Sequence, residues 1–176
     1  MKDTQNIKNN RSEKNKNIIV CPYTGKCGGC SNTGIPYEKQ LADKQKRIEK
    51  LFKDFDIKVE KIIGCDSPFY YRNKVHSVFS RDKKGNVIRG MYAQDSHDVI
   101  NVSGCLLEDE TADAIINEIK KLASHYKMKI YDEDRETGFL RHVLVRAAGY
   151  HGEKAFMVVI VTAEVQFEGK NNFIKL

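Results

Sequence analysis

The 176-residue chain contains neither a G-x-G-x-x-G turn nor a P-loop, so the glycine-rich cradles that seat dinucleotides and nucleoside triphosphates are absent. The only Gly-Gly pair, Gly28-Gly29, sits between two cysteines. Hydrophobic residues make up 40% of the chain, enough for a packed core but leaving nothing for a membrane span, and a soluble cytoplasmic protein is expected. No apolar signal segment opens the sequence, and five cysteines is an odd number. Both facts argue against the disulfide framework of a small secreted domain. No repeat or low-complexity stretch appears beyond the first residues.

Charge is unevenly spread. Lys and Arg number 30 against 24 Asp and Glu, for a net charge of +6. Residues 1–17 hold five positive and two negative charges in a run of Asn, Lys, Ser and Gln with little to bury, and this segment is expected to be a disordered basic tail. The remainder permits an anionic partner.

The densest chemistry is Cys21-x5-Cys27-x2-Cys30, where the Gly28-Gly29 turn lets two thiolates converge on one centre without a side-chain clash. A zinc ribbon needs a second Cys-x2-Cys knuckle, whereas a cubane cluster accommodates three nearby cysteines and one remote one. Spacing alone leaves iron and zinc open, and leaves both Cys65 and Cys105 as fourth ligand. Cys65, in Gly64-Cys65-Asp66-Ser67-Pro68, has no neighbouring His or Lys to activate it and reads as a buried structural thiol rather than a nucleophile.

Residues 18–35 are thus a cysteine loop. Pro36 to Phe55 then has the spacing of an amphipathic helix, with Tyr37, Leu41, Ile48, Leu51, Phe52 and Phe55 on one arc and Pro36 in its first turn. Lys39, Lys46, Lys50 and Lys53 form a solvated stripe opposite, and Lys44 lies near the apolar arc.

Short alternating runs at Val59–Ile63, Tyr71–Ser80, Val87–Ala93 and His97–Val102 predict antiparallel strands, with a hairpin turn at Asp82–Asn86. In the second run Arg72, Lys74 and His76 share one face and Tyr71, Val75 and Phe79 the other, so one side packs and the other is cationic. Glu108–Lys127 predicts a second helix covering the sheet. Gly138–Ala148 and Lys154–Ala163 predict a further hairpin. The fold class expected is α+β: an antiparallel sheet with two principal helices, over residues 36–170. Residues 171–176 read as the opening of a missing downstream element.

Six motifs follow in order: Cys21-x5-Cys27-Gly28-Gly29-Cys30; Tyr37-x2-Gln40-Leu41-x2-Lys44; Pro68-Phe69-Tyr70-Tyr71-Arg72-Asn73-Lys74; Gly90-Met91-Tyr92-Ala93-x3-His97; Cys105; and Gly138-Phe139-Leu140-Arg141-His142-Val143. Together they resemble the SAM-dependent RNA uracil-C5 methyltransferases, and among them the cluster-containing branch acting on 23S ribosomal RNA. The resemblance runs from about Cys21 to the C-terminus.

It implies that Cys21, Cys27, Cys30 and Cys105 hold a 4Fe-4S cluster, with Cys65 outside the set. It implies that Arg72, Asn73, Lys74, Arg141 and His142 are candidate RNA or inter-domain contacts in the family's central, RNA-handling domain. The family's SAM site, nucleophilic cysteine and proton-abstracting base lie in a C-terminal domain, so no catalytic residue is expected here and the polypeptide alone is expected to be inactive. The OB-like domain of many members is not expected ahead of Cys21. A monomer with 23S ribosomal RNA as partner is expected. The alternatives are a stand-alone zinc- or cluster-binding RNA-binding module and an iron-sulfur redox protein.

Overall fold

The computed structural model describes residues 20–150 and 153–163. The expected basic tail, the residues from 164 on, and His151 and Gly152 of the last turn lie outside the described residues. The chain divides into two units, one holding residues 20–24 and Asn32–Asp66, the other Gly25–Ser31 and the residues from Ser67 on.

The first unit is built on helix α1, Tyr37–Leu51. Pro36 is its N-cap rather than part of its first turn, with φ −52° and ψ 140°, and its carbonyl accepts from Gln40 N at 3.0 Å. Gln40 Nε2 also donates to Ile35 O at 2.8 Å, fixing the entry to the helix. The helix stops four residues short of the expected Phe55. Asp54 and Asp56 bring negative charge to the negative end of the helix dipole, and Phe52 to Phe55 close a turn instead, through Phe55 N to Phe52 O at 3.1 Å.

Val59–Ile63 is not a strand. Two of its backbone groups are met by a side chain of α1: Ile62 N donates to Gln45 Oε1 at 2.7 Å, and Gln45 Nε2 donates to Glu60 O at 3.3 Å. Groups paired in this way have no need of a ladder partner. Further on, Cys65 N donates to Tyr37 Oη at 2.7 Å.

Among the described residues, the second unit is a five-stranded, fully antiparallel sheet with one helix. Its elements are β1 Lys74–Arg81, β2 Val87–Tyr92, β3 Val99–Asn101, α2 Glu110–His125, β4 Leu140–Tyr150 and β5 Glu153–Thr162, in sheet order β3-β2-β1-β4-β5. The β1–β2 hairpin turns where expected: Asp82 Oδ1 accepts from Lys84 N and Asn86 N, and Gly85 takes φ +82°, a region glycine enters without a Cβ penalty. β2 and β3 approach closely at Gly90, where a Cβ would stand 1.9 Å from Ile100 O.

Helix α2 begins two residues later than expected, because Asp109 is the N-cap and accepts from Thr111 N and Ala112 N. Glu108 therefore precedes the helix and is buried. Ala112, Ile116, Ile119 and Ala123 recur at helical spacing and pack on Val75, Phe79, Val87, Leu140, Val143 and Val145 of the sheet. The core thus lies between α2 and one face of the sheet. Lys74 and His76 point to the other face, as period-two alternation requires, whereas Tyr71 precedes the strand and is exposed.

Candidate functional site

The cysteine knuckle is seated on the end of β2. Cys27 forms a bridge with Ala93, and Gly28 N donates to Tyr92 O at 3.0 Å. Here glycine is required by approach, since a Cβ on Gly28 would lie 2.9 Å from that carbonyl. Gly29 N donates to Cys27 Sγ at 3.4 Å, the kind of amide-to-sulfur bond that stabilises a ligating thiolate.

Cys105 lies in the loop after β3. Burial pushes its thiol up, backbone amides of Leu107 and Glu108 act against that by hydrogen bonding, and the neighbouring Cys30 adds to the rise. Cys30 and Cys105 therefore lie within electrostatic reach of each other. Cys27, Cys30 and Cys105 belong to one unit; Cys21 and Cys65 belong to the other, and Cys65 is exposed rather than buried as expected. Among the described residues, no disulfide joins the five cysteines and no group of three or more His, Cys, Asp or Glu side chains is arranged to hold a metal ion. In donor chemistry the thiols, two of them with amide donors, fit a soft-metal or cluster site.

The loop after Cys105 is also where the Arg72-Asn73-Lys74 segment docks. Tyr70 N donates to Leu106 O at 2.9 Å, Arg72 N to Leu107 O at 2.8 Å, and Asp109 N to Arg72 O at 3.1 Å. Arg72 is half-buried and Asn73 and Lys74 are exposed. Beneath them is a buried ionic cluster that no motif announces. Arg89, on the core face of β2, donates from Nη2 to Asp113 Oδ1 and from Nε to Asn117 Oδ1 at 3.1 Å, and its Nη1 lies 3.7 Å from Glu108 Oε2. Asp113 Oδ2 in turn accepts from Gly104 N at 3.4 Å, holding the residue next to Cys105. Burial lifts the Glu108 carboxyl above its usual range, Arg89 opposes this, and Asp113 adds to it.

Arg141 and His142 sit at a bulge near the start of β4. Both oxygens of Glu133 accept from Arg141 Nη2, at 3.0 and 2.9 Å, and the guanidinium lies 4.3 Å from the Tyr131 ring centroid. His142 Nε2 is 3.9 Å from Glu133 Oε1, and its ring packs edge-on to His76 at 4.8 Å. Burial, then His76 and Arg141, push its pKa down, against the opposing pull of Glu133. Arg141 is thus already engaged by a carboxylate. Arg146, by contrast, is exposed and directly opposite Lys74 in the β1–β4 register. It lies outside every motif; the period-two alternation of β4 is the signal that places it there.

No protein-family model matches the chain. A Staphylococcus aureus protein named as an uncharacterized RNA methyltransferase is 34% identical over 171 residues, covering 95% of this chain and 37% of the relative. A Bacillus cereus protein of the same description is 32% identical over 159 residues, covering 88% of this chain and 34% of the relative. The chain is a homologue of RNA methyltransferases. It spans little more than a third of the length of these relatives. The fold is similar to that of the Pyrococcus abyssi tRNA (uracil-54, C5)-methyltransferase crystallised with S-adenosyl-L-homocysteine, with a TM-score of 0.65 and 23% identity over 87% of this chain and 35% of that one. At that identity the likeness is one of fold.

Among the described residues, no helix is long and apolar enough to cross a membrane.

Proposed function

We propose that this chain is the RNA-handling portion of a cytoplasmic, monomeric RNA uracil-C5 methyltransferase whose substrate is 23S ribosomal RNA. The observation that carries the reading is its homology to RNA methyltransferases along nearly its whole length, and the fold shared with a uracil-C5 enzyme supports the choice of base. SAM would supply the methyl group, and no residue of this chain is assigned to its site or to the transfer. The chain's own work is to bind and orient RNA. Arg72, Asn73 and Lys74, at the exposed entrance to β1, are the proposed contacts, with Arg141 and His142 at the far end of the same face.

Cys21, Cys27, Cys30 and Cys105 would hold a 4Fe-4S cluster, whose part is structural: it ties the Cys27–Cys30 knuckle to the loop on which Arg72 docks. The nearness of Cys30 to Cys105 and the amide donors at Cys27 and Cys105 support this role.

The test is binding of the 176-residue chain to a hairpin of 23S ribosomal RNA with uridine in its loop. Affinity should fall linearly on a log–log plot against salt and should drop with Arg72→Ala. An affinity indifferent to both salt and this substitution overturns the reading.

A further inference from the structure

The face of the sheet opposite α2 carries two unlike strips side by side. In the β1–β4–β5 register, Lys74 stands opposite Arg146 and Arg146 opposite Met157; His76 stands opposite Leu144 and Leu144 opposite Val159; Val78 stands opposite His142 and His142 opposite Val161. Lys74, His76 and Arg146 are exposed. Along β5, Met157, Val159 and Val161 expose 52%, 40% and 37% of their surface.

Among the described residues neither Lys74 nor Arg146 has a carboxylate within ion-pair distance, although Lys154 of the same unit is paired with Asp109 and Arg141 with Glu133. Like charges placed directly opposite each other destabilise an antiparallel pair, and an anion held between the two would relieve the arrangement. The apolar strip next to it narrows the choice of anion. A duplex offers phosphates but keeps its base faces stacked, whereas an unpaired strand offers a phosphate and a base or ribose face one step apart.

We propose that this outer face binds a single strand of RNA, with Lys74 and Arg146 sharing one phosphate and the Met157–Val159 strip receiving the adjacent ribose or base. The proposal rests on the RNA-handling reading above and adds to it a site that includes Arg146 and β5. Arg141 is held at the far end of the face by both oxygens of Glu133.

The experiment measures binding of fluorescein-labelled oligouridine to the 176-residue chain by anisotropy across a potassium chloride series. Arg146→Gln and Lys74→Gln should each weaken binding roughly fivefold to tenfold and lower the salt slope by about one. Arg146→Lys should retain the slope, Met157→Ser should weaken binding without changing it, and the thermal midpoint should not fall in any of them. If both glutamine variants bind as the parent does while Arg72→Ala weakens binding, the face is wrong and the RNA reading stands. If the parent does not bind oligouridine or the 23S hairpin, both fail. If duplex RNA binds as tightly as oligouridine and Met157→Ser has no effect, the single-strand assignment is overturned.

Discussion

Lys154 Nζ lies 2.9 Å from Asp109 Oδ2, so the last strand of the sheet is tied to the residue that caps α2. The other carboxylate oxygen of Asp109 accepts from the Thr111 and Ala112 amides. One side chain thus serves the helix terminus and the strand–helix junction together.

Asp109→Ala should cost about 1–2 kcal/mol, the usual loss for a helix N-cap. The Lys154 hydrogen bond, followed by the amides, holds the Asp109 carboxyl below its ordinary range. Its folded pKa being depressed, the stabilisation is complete above the unfolded value near about 3.9 and disappears as pH falls through the lower folded value. Urea unfolding of the parent and Asp109→Ala should therefore show a gap at pH 7 that narrows steadily in acid.

Arg89→Met should be far more costly, about 3–5 kcal/mol, because it leaves buried Glu108 and half-buried Asp113 without their cation. Combining it with Asp113→Asn and Glu108→Gln should recover part of the loss, since the uncompensated charge is then removed. Denaturant midpoints of the single and triple variants check this.

Gly90→Ala should destabilise by about 1–3 kcal/mol. The new Cβ would meet Ile100 O at 1.9 Å and Val102 N at 2.9 Å, both of them backbone atoms that move only if β3 moves. Val102 N donates to Arg89 O at 3.0 Å, so hydrogen exchange at the Val102 amide should accelerate ahead of the core amides of β4.

For the cysteines, protein purified without oxygen should carry iron and acid-labile sulfide in equal amounts. Cys105→Ser should lower both together with the thermal midpoint, and Cys65→Ser should change neither. Zinc in place of iron, or identical content in the Cys105 variant, would contradict the cluster assignment.

The parts of the fold governed by local periodicity were legible in the sequence. Val75 and Phe79 face inward and Lys74 and His76 outward because side chains alternate along a strand, and Ile116 and Ile119 meet the sheet because they share a helical face. Long-range pairing was not legible. Val59–Ile63 has the composition of a strand, yet the Gln45 amide on α1 meets two of its backbone groups. Arg89 lies among buried positions because its partners arrive from residues 108, 113 and 117. The motifs pointed to Arg141, while the pairing of Lys74 with Arg146 depends on a β1–β4 register that no local pattern encodes.

The proposed role in uridine methylation of 23S ribosomal RNA can be read from the RNA itself. Disrupting the coding sequence and measuring 5-methyluridine by mass spectrometry of nuclease-digested 23S ribosomal RNA should show 5-methyluridine lost, and restored by the intact gene. An undiminished level in the disrupted strain would rule that role out.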